Sequence, residues 1–337
     1  RLALGAGVTT GNDNIAIGAN AMDALTSGTC NIALGLNALG AATDNVDNVA
    51  IGVGALQASD GDADCNVAIG YRALGGSDVS GNDNIAIGSN AADALTSGAC
   101  NIALGINALG AATDNCDNIA IGQSALAVSD GDGDFNIAIG CQAMGGSDVA
   151  GLNNIAIGTA TADALTSGGY NIAMGINALG AAQTGANNIA LGQLAIGTGA
   201  TTGDDNIGIG RTAGRCITSG ACNISIGQGT MHGTTSITGA NNIAMGTSAL
   251  DALTSGACNI ALGLNALGAT TDGNDNIAIG KSALAVSDGV GDSNIAIGNV
   301  AMGGADVSGH NNIALGDYSM DALTTGLYNV AIGQNAL

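Results

Sequence analysis

The groups in this sequence with the most capacity for chemistry are carboxylates. Three acidic turns stand out: Ser59-Asp60-Gly61-Asp62-Ala63-Asp64, Ser129-Asp130-Gly131-Asp132-Gly133-Asp134, and a sparser one with Ser287, Asp288 and Asp292. Asp alternating with small residues is how a loop wraps oxygen ligands around a hard cation such as Ca2+. Asp60 and Asp78 also fall at the same place on successive turns of a repeat set out below, with Asp44 one position on in the turn before, and the same column recurs as Asp114, Asp130 and Asp148, and as Asp272, Asp288 and Asp306. Carboxylates stacked ~5 Å apart with no basic partner repel one another, and a bound cation would remove that cost. Two readings stay open. One is a Ca2+ site on Asp44, Asp60, Asp62, Asp64 and Asp78, with a richer one on Asp114, Asp130, Asp132, Asp134 and Asp148; the other is a set of solvated acidic turns. Ca2+ is the one cofactor in question, and an EF-hand loop is excluded because the chain has no Glu for its last position.

The remaining reactive groups suggest no active site. Of the 8 Cys, Cys30, Cys65, Cys100, Cys222 and Cys258 each lie directly before a recurring Asn, where other copies place Phe135, Tyr170 or Tyr328. The slot therefore reads as one for a bulky or apolar group. Cys30 and Cys65 are two turns of the repeat apart, ~9.6 Å at strand spacing, beyond disulfide reach. Between them the slot holds mostly Asp or Asn, a two-turn period that suggests a partner surface touching every second turn. No two Cys have the spacing of a zinc knuckle. His232 and His310 are isolated and read as solvated turn residues, with no Ser, His and Asp set to build around either. The chain reads as a non-enzyme.

Composition narrows what can position these residues. All 27 acidic residues are Asp, only Arg1, Arg72, Arg211, Arg215 and Lys281 oppose them, and the net charge is −22. Nucleic acid is thereby excluded as a partner, since neutralising phosphates takes clusters of Lys and Arg. With 58 Gly, no Glu and a single Lys, long surface helices are disfavoured. An apolar share of 46% is too high for a disordered coil. No apolar run approaches ~18 residues, so no membrane insertion is expected. The sequence opens at Arg1 in mid-pattern, which suggests a portion of a longer polypeptide.

The pattern is Asn, apolar, Ala, apolar, Gly. It starts at Asn14, Asn31, Asn48, Asn66, Asn84 and onward to Asn329, in 19 full copies spaced mostly 17 or 18 residues apart, with an imperfect one at Arg1. Four copies make a 70-residue unit, seen at 14–83, 84–153 and 242–311, with a diverged stretch at 154–222, a 19-residue lap at 223–241 and a partial unit at 312–337. With the Asn as position zero, positions one and three are always Ile, Val, Leu or Met, position four is always Gly, and position eight is apolar except at Gly214. Alternation over three residues predicts a strand, and Gly, Asp, Ser, Thr and Asn close each lap. So short a lap cannot bury its own apolar groups and must stack on the next, which predicts an all-β, parallel β-solenoid of about 20 laps spanning 1–337 as one domain.

In this reading positions one and three, such as Ile87 and Ile121, form the core. Position two faces the other way. It is Ala in all but Gly208 and Ser225, and a column this small, represented by Ala86, Ala103 and Ala120, reads as the interface with a neighbouring chain. The Asn column reads as a ladder that fixes register.

The run from Asn14 through Gly18 followed by Ala21, and that from Asn66 through Gly70 followed by Ala73, resemble the head repeat of the YadA-like trimeric autotransporter adhesins, a repeat also found in phage tail fibres and tailspikes. This resemblance implies a left-handed β-roll, a homotrimer and a role in surface attachment. The expectation is thus a rigid fibre or adhesion module, extracellular, on a cell surface or on a virion, with self as the main partner and a host-surface receptor or glycan as a further candidate. A non-adhesive self-assembling filament is the first alternative. An ice-binding solenoid is the second, weakened because Thr26, Thr96, Thr166, Thr254 and Thr324 recur only once per 70-residue unit.

Overall fold

The computed structural model describes residues 3–4, 9–59, 63–129, 133–233, 235–287 and 291–337. The chain divides into two compact units, Arg1–Tyr170 and Asn171–Leu337. In the first, nine three-residue strands run from β1 (Ile15–Ile17) through β5 (Ile85–Ile87) and β7 (Ile119–Ile121) to β9 (Ile155–Ile157). In the second, ten run from β10 (Ile172–Met174) to β19 (Val330–Ile332). Within each unit every strand is parallel to the next and paired in the register that the sequence spacing dictates: Ile15 with Ile32 and Ala16 with Ala33, and likewise Ile207 with Ile224. Each unit is therefore a β-solenoid, and no helix occurs among the described residues. The 19-residue lap keeps this register, with Ile224 beside Ile243.

The lap that starts at Asn31 turns six side chains inward: Asn31 at position zero, Ala33 at two, Ala38 and Leu39 at seven and eight, and Ala42 and Asn45 on the remaining sides, all 0% exposed. The largest buried groups are mostly those of position eight, such as Met22, Leu39, Leu56 and Leu126, joined by Leu25, Leu95 and Leu165 at position eleven. Gly214, the one exception in that column, is compensated: a Cβ there would meet Ile217 Cδ1 at 2.8 Å, so Ile217 already fills the space. Gly208 is needed for a related reason. The β-branched Ile196 of the preceding lap would lie 2.8 Å from any Cβ at that position.

The inside and outside of the strands are the reverse of the sequence expectation. Ala86, Ala103 and Ala120 lie in the core at 0%, 1% and 0% exposure, whereas Ile87, expected to be buried, is 40% exposed and Ile121 is half-buried. The reason is cross-section. The strand faces the position-seven and position-eight side chains across a very narrow lap, and once Leu or Met occupies that space only a methyl group fits opposite. The bulkier Ile residues must stand outside.

Two hydrogen-bond ladders hold successive laps together. Each buried Asn accepts the backbone N–H of the next Asn, as Asn31 N–H donates to Asn14 Oδ1 at 3.0 Å and Asn136 N–H to Asn118 Oδ1 at 2.8 Å. Its Nδ2 donates to the carbonyl three residues before the next Asn: Asn31 to Asn45, Asn48 to Ala63, Asn223 to Gly239. That rule holds in laps of 17, 18 and 19 residues, so the Asn both registers and closes the lap whatever its length. The expected ladder is present, carried mainly by side chain to backbone bonds. Position four requires Gly because its φ is strongly positive, +132° at Gly122, and a Cβ would come within 2.5 Å of the Gly140 carbonyl one lap on.

Candidate functional site

The reversal leaves an apolar face on the outside of the sheet. Positions one and three present two columns of Ile, Val, Leu and Met with no charged residue in either. Neighbours at ~4.8 Å cover one another's flanks, so most are half-buried while their tips face outward, and Ile15, Ile17, Leu34, Ile85 and Ile87 are exposed. Just past the glycine bend, Leu36, Val53, Tyr71 and Ile106 extend the apolar surface of the first unit, and Ile176 and Leu264 that of the second. Nine strands of three residues span roughly 400 Å2 at standard strand dimensions, already as large as the biggest apolar patch on a typical monomer.

The slot before the Asn borders this face. Its backbone is left-handed in every lap, with φ of 59° at Cys30, Cys65 and Cys100, 58° at Phe135 and 60° at Tyr170. Asp and Asn tolerate that conformation; Cys, Phe and Tyr are strained there. Their side chains are exposed, 53% at Phe135 and 62% at Tyr170, so the slot is a surface position rather than a pocket for bulky groups. Desolvation, then the carboxylates of Asp83, Asp47 and Asp64, push the Cys65 thiol up from its ordinary pKa, and desolvation with Asp117 and Asp83 does the same at Cys100. Both therefore hold less thiolate than a free cysteine.

The acidic residues that the structure describes accept hydrogen bonds from the chain itself. Asp60, Asp62, Asp130, Asp132 and Asp288 lie outside the described residues. Asp64 and Asp134 belong to a second ladder, two residues before the Asn, in which a side chain accepts the backbone N–H of the preceding lap: Val46 N–H donates to Asp64 Oδ1 and Cys116 N–H to Asp134 Oδ1, both at 2.7 Å. Asp204 and Asp292 do the same for Ala186 and Asn274. Asp44 and Asp114 accept the hydroxyls of Thr43 and Thr113 beside them. Asp78 and Asp148 each have a partner as well. Among the described residues, no three His, Cys or Asp side chains gather as metal ligands would.

Sequence reasoning missed this second ladder because its column mixes Asp, Asn, Cys and His. His310 is one of its rungs rather than a solvated turn residue. Its Nδ1 accepts Asp292 N–H at 3.0 Å, which makes that nitrogen the unprotonated one. His232 is also partnered. Position nine of three successive laps stacks Arg215, His232 and Asp251, with the Arg215 guanidinium 3.0 Å from His232 Nε2 and His232 Nδ1 3.9 Å from Asp251. Desolvation raises the Asp251 pKa and His232 partly offsets it. The signal was legible only by aligning laps of 17 and 19 residues by their Asn.

No protein-family model matches the sequence, and no curated protein matches it.

Proposed function

We propose that this chain is a self-associating β-solenoid, a structural fibre and attachment module whose copies meet through the outward Ile columns. One observation carries the reading: two uncharged columns of Ile, Val, Leu and Met stand on the outer sheet face of a chain that places its 27 Asp elsewhere. An apolar strip of that size facing water is costly, and a covering surface removes the cost. A second copy is the occupant that fits. The face repeats its apolar character from lap to lap within each unit, so two copies can match along it, and it offers no charge for an unlike partner to read. Each unit supplies roughly 400 Å2, about half of what a stable interface needs per partner. The strained Cys, Phe and Tyr side chains along its margin add contacts on every second lap. A trimer, a surface role and a location outside the cell follow from the adhesin-head resemblance.

Sedimentation velocity tests this. The wild type is expected at a multiple of 31.9 kDa. Changing Ile85, Ile87, Ile119 and Ile121 together to Asp, on alternate laps so that the new charges do not stack, should return the chain to 31.9 kDa with its far-ultraviolet spectrum unchanged. A wild type that sediments as a single chain at tens of micromolar would sink the proposal.

A further inference from the structure

Beyond the glycine bend, the first unit holds a cavity of about 400 Å3. Its walls carry Val53, Gln57, Ala58, Tyr71 and Arg72, over a glycine floor at Gly75 and Gly76. Gly54 opens it: a Cβ there would stand 3.0 Å from Gln57 Oε1 and 3.4 Å from Arg72 Cγ. A second cavity of about 260 Å3, lined by Asn20, Asp23 and Asn37 among others, shares Gln57 and so continues the first along the unit. The geometry points to a binding site for a neutral oligosaccharide in this groove.

Three observations converge on it. The first is duplication. Residues 14–83 and 84–153 differ at only 19 of 70 positions, yet 6 of the 19 fall among the 8 residues lining the larger cavity. Both other clear copies of the third lap agree against this one: Ser124 and Ser282 replace Gly54, Ala127 and Ala285 replace Gln57, and Val128 and Val286 replace Ala58. Two of these differences enlarge the space here and the third adds an amide. Tyr71 and Arg72 replace the Cys141 and Gln142 of the second copy.

The second observation is the state of the polar groups. Arg72 is one of five basic residues, and its Nε lies 3.4 Å from Asp93 Oδ1, so its charge is offset while its terminal amines point to no acceptor among the described residues. The side-chain amide of the exposed Gln57 has no hydrogen-bond partner among the described residues either, its carbonyl alone being taken by Ala41 N–H. The third is the choice of ligand that charge leaves. The chain's net −22 repels anions, and the Arg72–Asp93 pair leaves the wall beside Tyr71 without a spare negative charge to hold a cation. A polyhydroxylated neutral ligand suits what remains. Its hydroxyls both donate and accept, matching amide, guanidinium and carboxylate, and the C–H face of a sugar ring packs on a half-exposed phenol ring. The volume is in the range of small-molecule sites, and the continuation toward Asn20 and Asn37 favours more than one ring.

Saturation-transfer NMR with maltohexaose, cellohexaose and chitohexaose as probes tests the assignment, with sialyllactose as the charged comparison. The wild type should bind at least one neutral hexasaccharide. Gly54→Ser with Ala58→Val fills the groove, and Tyr71→Cys with Arg72→Gln removes its polar wall; both use residues the second copy already carries in the same fold. Each pair should weaken binding at least tenfold with an unchanged melting curve. Absence of neutral-sugar binding at millimolar probe, binding of sialyllactose alone, or full retention in both variants would each overturn it. The four-Asp sheet-face variant should bind as the wild type does, so the outcome stands apart from that of self-association.

Discussion

The two faces of the chain around a single strand are built under different constraints. At β7, Ala120 and the Asn118 just before the strand point inward and are fully buried, while Ile119 and Ile121 point outward and are half-buried. The inward pair is restricted by volume and by hydrogen bonding: a methyl group is all the narrow lap admits, and Asn118 Nδ2 holds the Gly133 carbonyl at 2.9 Å. The outward pair is under neither constraint within the chain, yet it is always branched or long and apolar. The lesson is that residue size and burial have been exchanged between faces. The small residues hold the solenoid together, and the large ones are available for another surface.

Breaking the inner face should have the largest effect. Ala120→Asp places an unpaired charge in a core without room for it, and should cost about 4 kcal/mol or more in chemical denaturation. Asn118→Ala comes next. It leaves the Asn136 N–H without its acceptor and takes one of two donors from the Gly133 carbonyl, which keeps Asn115 Nδ2, a loss of about 2 kcal/mol. Ile121→Asp, one residue from Ala120, should change the stability of the separated chain by about 1 kcal/mol or less. A large loss there, matching that at Ala120, would put Ile121 back in the core and break the comparison.

The smallest effect sharpens the boundary between the faces. Asp93 and Asp163 occupy the same place in successive 70-residue units, but Arg72 stands beside the first and Gln142 in the corresponding place beside the second. Desolvation raises the Asp163 pKa from 3.8, partly opposed by the hydrogen bond from Gly146. A carboxyl that binds its proton more tightly when folded destabilises the fold once ionised, so its contribution is favourable below the unfolded pKa and is lost as pH rises through the folded value. Asp163→Asn should therefore raise the melting temperature slightly at pH 7, with the gain vanishing as pH falls toward 3.8. Asp93→Asn should give no such gain. Equal behaviour of the two variants across that range would show that Arg72 does not distinguish the sites.

Much of this was legible from residue spacing. The Asn and Gly columns located the strands and the lap lengths gave their register, because a parallel solenoid converts sequence period directly into stacking. The phase was not legible. Three residues reveal alternation but not which side is inside, and the usual rule that large apolar residues are buried fails where the interior is one side chain wide. The acidic turns showed the same limit: Asp64 and Asp134 are conspicuous as acids, but their role as acceptors for Val46 and Cys116 depends on lap alignment rather than charge. His232 and His310 looked isolated in sequence because their partners lie a full lap away.

The seven methionines allow one measurement to test both faces at once. Met22, Met144, Met231, Met302 and Met320 point inward at position eight and are fully buried, whereas Met174 and Met245 occupy the outward columns at 43% and 42% exposure. Peroxide oxidation mapped by mass spectrometry should therefore modify Met174 and Met245 rapidly, and the other five slowly, in chains separated by the sheet-face Asp substitutions. In the wild-type assembly Met174 and Met245 should become as protected as the rest. Equal protection of all seven in the separated chain would contradict the inside-out placement of the strands, and rapid oxidation of Met174 and Met245 in the assembly would contradict self-association through the Ile face.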